Sequence, residues 1–277
     1  MAIEDEFAQA YAAVLGHWPA AEVSDLTSAC GTTRVLSCGP VDAPPLVLLP
    51  GGGATATVWF ANVGTLSRVA RVHAVDLPGN AGCTRVSTGD AAALCGWLDT
   101  VLDALGGGPI DLAGHSYGGW LALTYALHAP TRVRRLALLD PTQCFAGFRP
   151  GYLLHALPVL LRPSRARTAA LLRWETGGRP LDPAWTSLYE IGTELPSTGK
   201  LVTGPRPAAE RLRRLEVPTL LLLAGRSRAH DLGTVERTAR ALLPDVTVTV
   251  LPDATHHSLP TDPADDVTSA LLGFLRQ

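Results

Sequence analysis

The chain has 277 residues, 47% hydrophobic and 17% charged, with a formal net charge of −2. That composition supports a sizeable buried core and excludes wholesale disorder, and the length suits one α/β domain carrying an insertion. The near-neutral charge gives no reason to expect nucleic acid or a membrane surface as a partner, and no apolar run approaches the roughly 20 residues of a membrane-spanning helix.

The first residues, Met-Ala-Ile-Glu-Asp-Glu-Phe, are acidic and lack a basic segment followed by an apolar one. No signal peptide is therefore expected, and the expected location is cytoplasmic. Phe7, Tyr11, Val14, Leu15 and Trp18 recur at helical spacing before Pro19 and predict a short amphipathic helix. Beyond it, short apolar runs bounded by Gly or Pro predict strands at 46–49, 72–75, 110–113, 136–139, 219–223 and 247–251. Helical periodicity fills 91–105, 118–128, 235–243 and 267–275. Continuously apolar strands separated by helices indicate an α/β fold with a mostly parallel sheet covered on both faces. The five cysteines (Cys30, Cys38, Cys83, Cys95, Cys144) follow no C-x-x-C spacing and read as buried small residues of a reducing compartment.

One segment breaks the alternation. Between 144 and 215 no strand-like run occurs, but Pro-punctuated helical patches lie at 152–161 and 168–174. So long an insertion in a regular βα pattern predicts a lid, giving one domain over 1–277 with a helical cap at 145–214 after the strand at 136–139. Residues 144–214 hold 11 basic and 5 acidic side chains. Most such charges form solvated faces; part of this surface could instead meet a negatively charged substrate or carrier.

The chemistry concentrates at Gly114-His115-Ser116-Tyr117-Gly118, between an apolar strand and a helix. Gly-x-Ser-x-Gly in that setting is a nucleophile elbow, in which a strained turn holds the serine Oγ at a helix N-terminus. A serine needs a base. The candidates are His256 and His257, directly after the last strand, in the Ser-then-His chain order of this elbow type. A metal is not expected, because no third ligand stands near the pair and no H-E-x-x-H is present. His17, His73, His115, His128, His155 and His230 read as packing or surface residues, with the His115 side chain turned away from the chemistry. The run Leu48-Leu49-Pro50-Gly51-Gly52-Gly53 ends a strand in glycines whose N–H groups, with that of Tyr117, can form an oxyanion hole. It lacks the Gly-Lys-Ser/Thr of a phosphate-binding loop.

From 46 to the C-terminus these motifs resemble the α/β-hydrolase superfamily, in its compact bacterial esterase and thioesterase branch. Leu48–Gly53 with Trp59 looks like the family's oxyanion loop, Val75-Asp76-Leu77-Pro78-Gly79 like its loop after the following strand, and Asp253-Ala-Thr-His256 like its terminal histidine motif. The resemblance implies acyl transfer to water through an acyl-enzyme, with no metal or organic cofactor. It implies Gly52 as the loop's oxyanion donor, despite Pro50 standing where the family often has histidine. Pro263, seven residues on, selects His256 over His257. The family's usual Gly-x-x-Asp reads Gly225-Arg226-Ser227-Arg228 here, so the acid is expected at Asp140, directly after the strand at 136–139, with Asp231 as the alternative.

The leading expectation is hydrolysis of a small to medium, largely apolar carboxylic ester or lactone by Ser116, His256 and Asp140. Gly51, Gly53, Phe145, Phe148, Tyr152, Leu153, Trp174, Trp185 and Tyr189 are the candidate pocket residues, with packing inside the cap as the alternative for the aromatic ones. The basic cap motivates a second possibility, hydrolysis or transfer of an acyl group bound to an acidic carrier. A non-catalytic receptor that keeps the fold is a third; it would have no need of nucleophile, base and oxyanion loop together.

Overall fold

The computed structural model describes residues 2–196 and 201–277. Its centre is a nine-stranded sheet: β1 (Glu22–Ser28), β2 (Gly31–Cys38), β3 (Pro45–Leu49), β4 (Arg71–Val75), β5 (Arg85–Val86), β6 (Ile110–His115), β7 (Val133–Leu139), β8 (Thr219–Ala224) and β9 (Val246–Leu251). The order is β1-β2-β4-β3-β6-β7-β8-β9, with short β5 paired to β2. From β4 to β9 all neighbours are parallel, whereas β1, β2 and β5 join antiparallel. This is the α/β-hydrolase fold.

The six apolar runs correspond to β3, β4, β6, β7, β8 and β9. Residues of β6 and β8 are buried throughout, as central strands covered on both faces must be. The strands β1 and β2 went unpredicted. β1 (Glu-Val-Ser-Asp-Leu-Thr-Ser) is an edge strand with little burial, so its sequence carries no continuous apolar run. Cys30, in the turn between them, is exposed, unlike the buried site expected of it.

Helices α1 (Ile3–Leu15), α2 (Phe60–Leu66) and α10 (Ala264–Leu275) cover one face of the sheet, where Val14, Val63 and Leu271 pack on Leu46, Leu48 and Ala113. Helices α3 (Ala91–Ala104), α4 (Tyr117–His128) and α9 (Leu232–Leu242) cover the other. Neighbouring strand residues alternate between the two cores: Leu46 and Leu48 serve the first, Val47 and Leu49 the second.

Between β7 and β8 the chain forms α5 (Pro150–Leu161), α6 (Arg165–Glu175), α7 (Pro183–Gly192) and α8 (Ala209–Arg213). This is the span expected as a helical cap, of which 197–200 lie outside the described residues. Arg165 at the start of α6 forms ion pairs with Glu6 of α1 and with Glu194, tying the insertion to the N-terminal helix. Among the described residues no helix is long and apolar enough to cross a membrane. The sheet reverses its winding at β3, whose neighbours are β4 on one side and β6 on the other. In open α/β sheets the C-terminal ends at such a switch point form a crevice for ligands. Gly51–Gly53 and Ser116 leave the sheet there.

Candidate active site

Ser116 links β6 to α4 with φ 53°, a left-handed conformation that costs free energy for a side chain bearing a Cβ. Its neighbours need glycine for a different reason. A Cβ on Gly114 would lie 2.2 Å from the Gly118 carbonyl oxygen, and one on Gly118 would lie 2.4 Å from the Leu49 and Pro50 oxygens. The elbow can therefore close against β3 only with these two positions bare. The Ser116 N–H donates to the Leu139 carbonyl at 2.9 Å, which fixes the turn against the adjacent strand end.

Ser116 Oγ stands 2.8 Å from His256 Nε2, and His256 Nδ1 stands 2.7 Å from Asp140 Oδ2. Asp140 leaves β7 with φ 42° and is fully buried. A carboxylate can only accept, so Nδ1 carries the hydrogen and Nε2 presents its lone pair to the serine hydroxyl. Three further donors converge on Asp140: His230 Nε2 at 2.9 Å, Ser227 Oγ at 2.8 Å and the Ala224 N–H at 3.2 Å. Burial works against the carboxylate's charge, but His230 and His256 outweigh it and hold Asp140 well below the ordinary carboxylate range. Burial likewise disfavours a charged His230, yet Asp140 more than compensates and raises its pKa.

His230 was expected to be a packing or surface residue; it is instead a buried partner of Asp140. Asp231 lies elsewhere. It caps α9, accepting from the Thr234 N–H at 2.8 Å and hydroxyl at 2.7 Å, and its carboxylate faces Arg149 at 3.4 Å. The side chain is half exposed, so the loop after β8 brings Ser227 and His230 to the site and leaves Asp231 outside it. Arg228, at the position expected for an acid, lies across the Trp174 ring, and the neighbouring Arg226 pairs with Asp253.

His257 makes no bond to Ser116. Its Nε2 pairs with the Tyr152 hydroxyl of α5 at 3.1 Å, and burial pushes its pKa down to about 4, so it is neutral near pH 7. Both histidine backbones are held by Glu175, the last residue of α6. One carboxyl oxygen accepts from the His256 N–H at 2.9 Å and the other from the His257 N–H at 3.0 Å. Glu175 is 1% exposed. Nothing in the local sequence marks it, because its partners lie about 80 residues away. His115 also departs from expectation. Its ring does not turn away but donates from Nε2 to the His256 carbonyl at 2.9 Å, and burial lowers its pKa to about 3.

The glycine loop after β3 is pinned by Asn80. Asn80 Oδ1 accepts from the Gly53 N–H at 3.1 Å, and Nδ2 donates to the Gly51 carbonyl at 3.0 Å. Tyr189 of α7 donates to the Gly52 carbonyl at 3.0 Å. The Gly53 amide is thereby committed. The Gly52 and Tyr117 amides make no hydrogen bond among the described residues, and a Cβ on Gly52 would sit 3.7 Å from that of Tyr117. Two free donors thus flank Ser116. Beneath the loop, buried Asp76 accepts from the Ala56 and Cys83 N–H groups at 2.6 and 2.8 Å; burial raises its pKa to about 6.

A cavity of about 400 Å3 opens over this arrangement, bounded by Ser116, His256, Gly52, Gly53 and Tyr117 on the sheet side. Phe148, Tyr152, Leu153, Leu160, Leu171 and Tyr189 close it from the insertion, and its wall is mainly apolar. Two pocket expectations need correction. Phe145, 1% exposed, belongs to the core under the sheet rather than the cavity, because the chain turns inward after Asp140. Trp174 stacks on His155 with ring centres 3.9 Å apart, on the far side of Tyr152. Trp185 and Gly51 do line the site, in a smaller recess bounded by Ser116 and His256 beside the main cavity. Among the described residues no group of three or more His, Cys, Asp or Glu side chains could hold a metal ion.

Comparison with known proteins gives a consistent result. The family described as "Alpha/beta hydrolase family" matches residues 46–270. The carboxylesterase YbfK of Bacillus subtilis is 28% identical over 97% of this chain and 93% of its own. Its crystal structure superposes with a TM-score of 0.91 at 26% identity, covering 97% of this chain and 96% of that one. The crystal structure of a naproxen esterase from Bacillus subtilis gives a TM-score of 0.91 at 27% identity, covering 99% of both chains.

Proposed function

The chain belongs to the alpha/beta hydrolase family, and on that premise we propose that it is a serine carboxylic-ester hydrolase working through Ser116, His256 and Asp140. The observation that carries this reading is the continuous hydrogen-bonded path Ser116–His256–Asp140 on the floor of an apolar cavity. Ser116 Oγ attacks the ester carbonyl while His256 Nε2 takes its proton. The oxyanion of the tetrahedral intermediate is held by the Gly52 and Tyr117 amides, and the N-terminus of α4 favours the developing charge. Collapse expels the alcohol, which takes the proton from His256. Water, deprotonated by the same imidazole, then releases the acid from the acyl-enzyme. Asp140 fixes the ring and stabilises the imidazolium.

The helices between β7 and β8 act as the cap. They supply most of the apolar wall and, through Glu175 and Tyr152, hold the histidine loop. A buried apolar wall suits an ester with a hydrocarbon acyl or alkyl part. The test is labelling by a fluorophosphonate probe together with turnover of p-nitrophenyl butyrate. The wild type labels and turns over, and Ser116→Ala does neither. A folded wild type that fails both would overturn the assignment and favour a receptor.

A further inference from the structure

Helix α5 is apolar over more than half of its circumference. At about 100° per residue, Tyr152, Leu153, Ala156, Val159 and Leu160 fall within an arc of about 120° and line the cavity. Leu154, Leu157 and Leu161 fall within about 60°, centred about 130° round the helix from that arc. These three are 68%, 45% and 71% exposed. Leu153 and Leu160, at the cavity's edge, are also exposed, at 47% and 70%, so the outer stripe runs without a polar break into the mouth. A helix that is hydrophobic all round normally lies in a core or against lipid, and contiguous exposed apolar surface of this kind marks an interaction site.

The charge around the stripe selects its partner. No acidic residue occurs from 144 to 174, whereas Arg149, Arg162, Arg165, Arg167 and Arg173 do. Arg149 and Arg165 have acidic partners. Arg162, directly after the stripe, and Arg167 have none among the described residues; Arg167 bonds instead to the Arg162 carbonyl. Two copies meeting through α5 would bring these arginines together. An anionic lipid surface accepts both features, with leucines among the acyl chains and guanidinium groups at the phosphates. The chain's net charge of −2 conceals this, because the positive excess is local.

We propose that the outer face of α5 docks on an anionic lipid surface, placing the cavity mouth against the bilayer. Docking stands by itself; its consequence, transfer of lipid-dissolved esters over Leu153 and Leu160 to Ser116, rests on the esterase reading. Residues on the stripe but outside the cavity provide the variant, Leu154→Asp with Leu161→Asp.

The test is flotation of the full chain with vesicles of phosphatidylcholine alone or mixed equally with phosphatidylglycerol, at low and high salt. The wild type floats with the mixed vesicles, more weakly at high salt and with phosphatidylcholine alone. The double variant binds them more than about tenfold more weakly and keeps wild-type turnover of dissolved p-nitrophenyl butyrate. A wild type that stays with the soluble fraction overturns the proposal, as does a double variant that floats unchanged. Light scattering that finds a dimer, converted to monomer by the variant, assigns the face to a second copy and also overturns it. Flotation without fluorophosphonate labelling would leave docking intact and defeat only the esterase reading.

Discussion

Replacing Asp140 by Asn keeps the side chain's shape but leaves only one of its two terminal atoms able to accept hydrogen bonds. The carboxylate accepts from His256, Ser227, His230 and the Ala224 N–H, all within 3.2 Å. An amide can satisfy Ala224 and His230 with its oxygen, which leaves its NH2 facing Ser227 and His256. The Ser227 hydroxyl can rotate to accept. His256 can respond only by moving its hydrogen to Nε2, where it faces Ser116 and cannot take the serine proton. The expected loss in kcat is about 10^4-fold, the size seen when a buried triad acid elsewhere is amidated. That corresponds to about 5 kcal/mol of transition-state stabilisation. Stability should fall by only about 1–3 kcal/mol, since lost hydrogen bonds are partly offset by the relief of a buried charge. The assay is kcat on p-nitrophenyl butyrate beside circular dichroism and urea unfolding, with Asp231→Asn as control. Asp231 sits on an exposed helix cap, so its variant should stay within about threefold of wild type. A folded Asp140→Asn keeping more than about a tenth of kcat would refute the reasoning, as would a large loss in Asp231→Asn.

Glu175 is expected to act as a positioning residue: Glu175→Ala leaves the buried His256 and His257 N–H groups without acceptors and lowers kcat about 10^2-fold, Glu175→Gln by less. Wild-type kcat in a folded Glu175→Ala protein would remove that role. For His230, Asp140 raises the folded-state pKa above the unfolded value near 6.5. Its contribution is therefore complete below that pH and is lost as pH rises through the raised folded value. The urea midpoint of the wild type should drop between pH 6 and pH 8 and that of His230→Gln should drop less. Identical slopes would show that His230 binds no extra proton on folding.

The strands β3, β4, β6, β7 and β8 were legible because each is buried over most of its length, so apolarity runs on without alternation. The elbow was legible for a local reason. Backbone contacts at Gly114 and Gly118 leave no room for a Cβ, so the requirement is written as glycine in a pentapeptide. The edge strand β1 and its neighbour β2 lacked any such signature. Their pairing is set by backbone hydrogen bonds, which any residue except proline can make.

The surroundings of Ser116 depended on proximity between distant segments. His256 and His257 are equivalent as residue types, and their separate partners, Ser116 for one and Tyr152 for the other, follow from the path of the loop. Asp140 and Asp231 are likewise the same chemistry. One ends a central strand and is buried under two histidines; the other begins a surface helix. Glu175, His230 and His115 have roles defined by atoms between 80 and 150 residues away. By itself the sequence determined which residue types and which strand-turn-helix frame were available to the site. Only the tertiary structure decided which carboxylate and which histidine meet the serine, because hydrogen bonds depend on positions in space that no local spacing records.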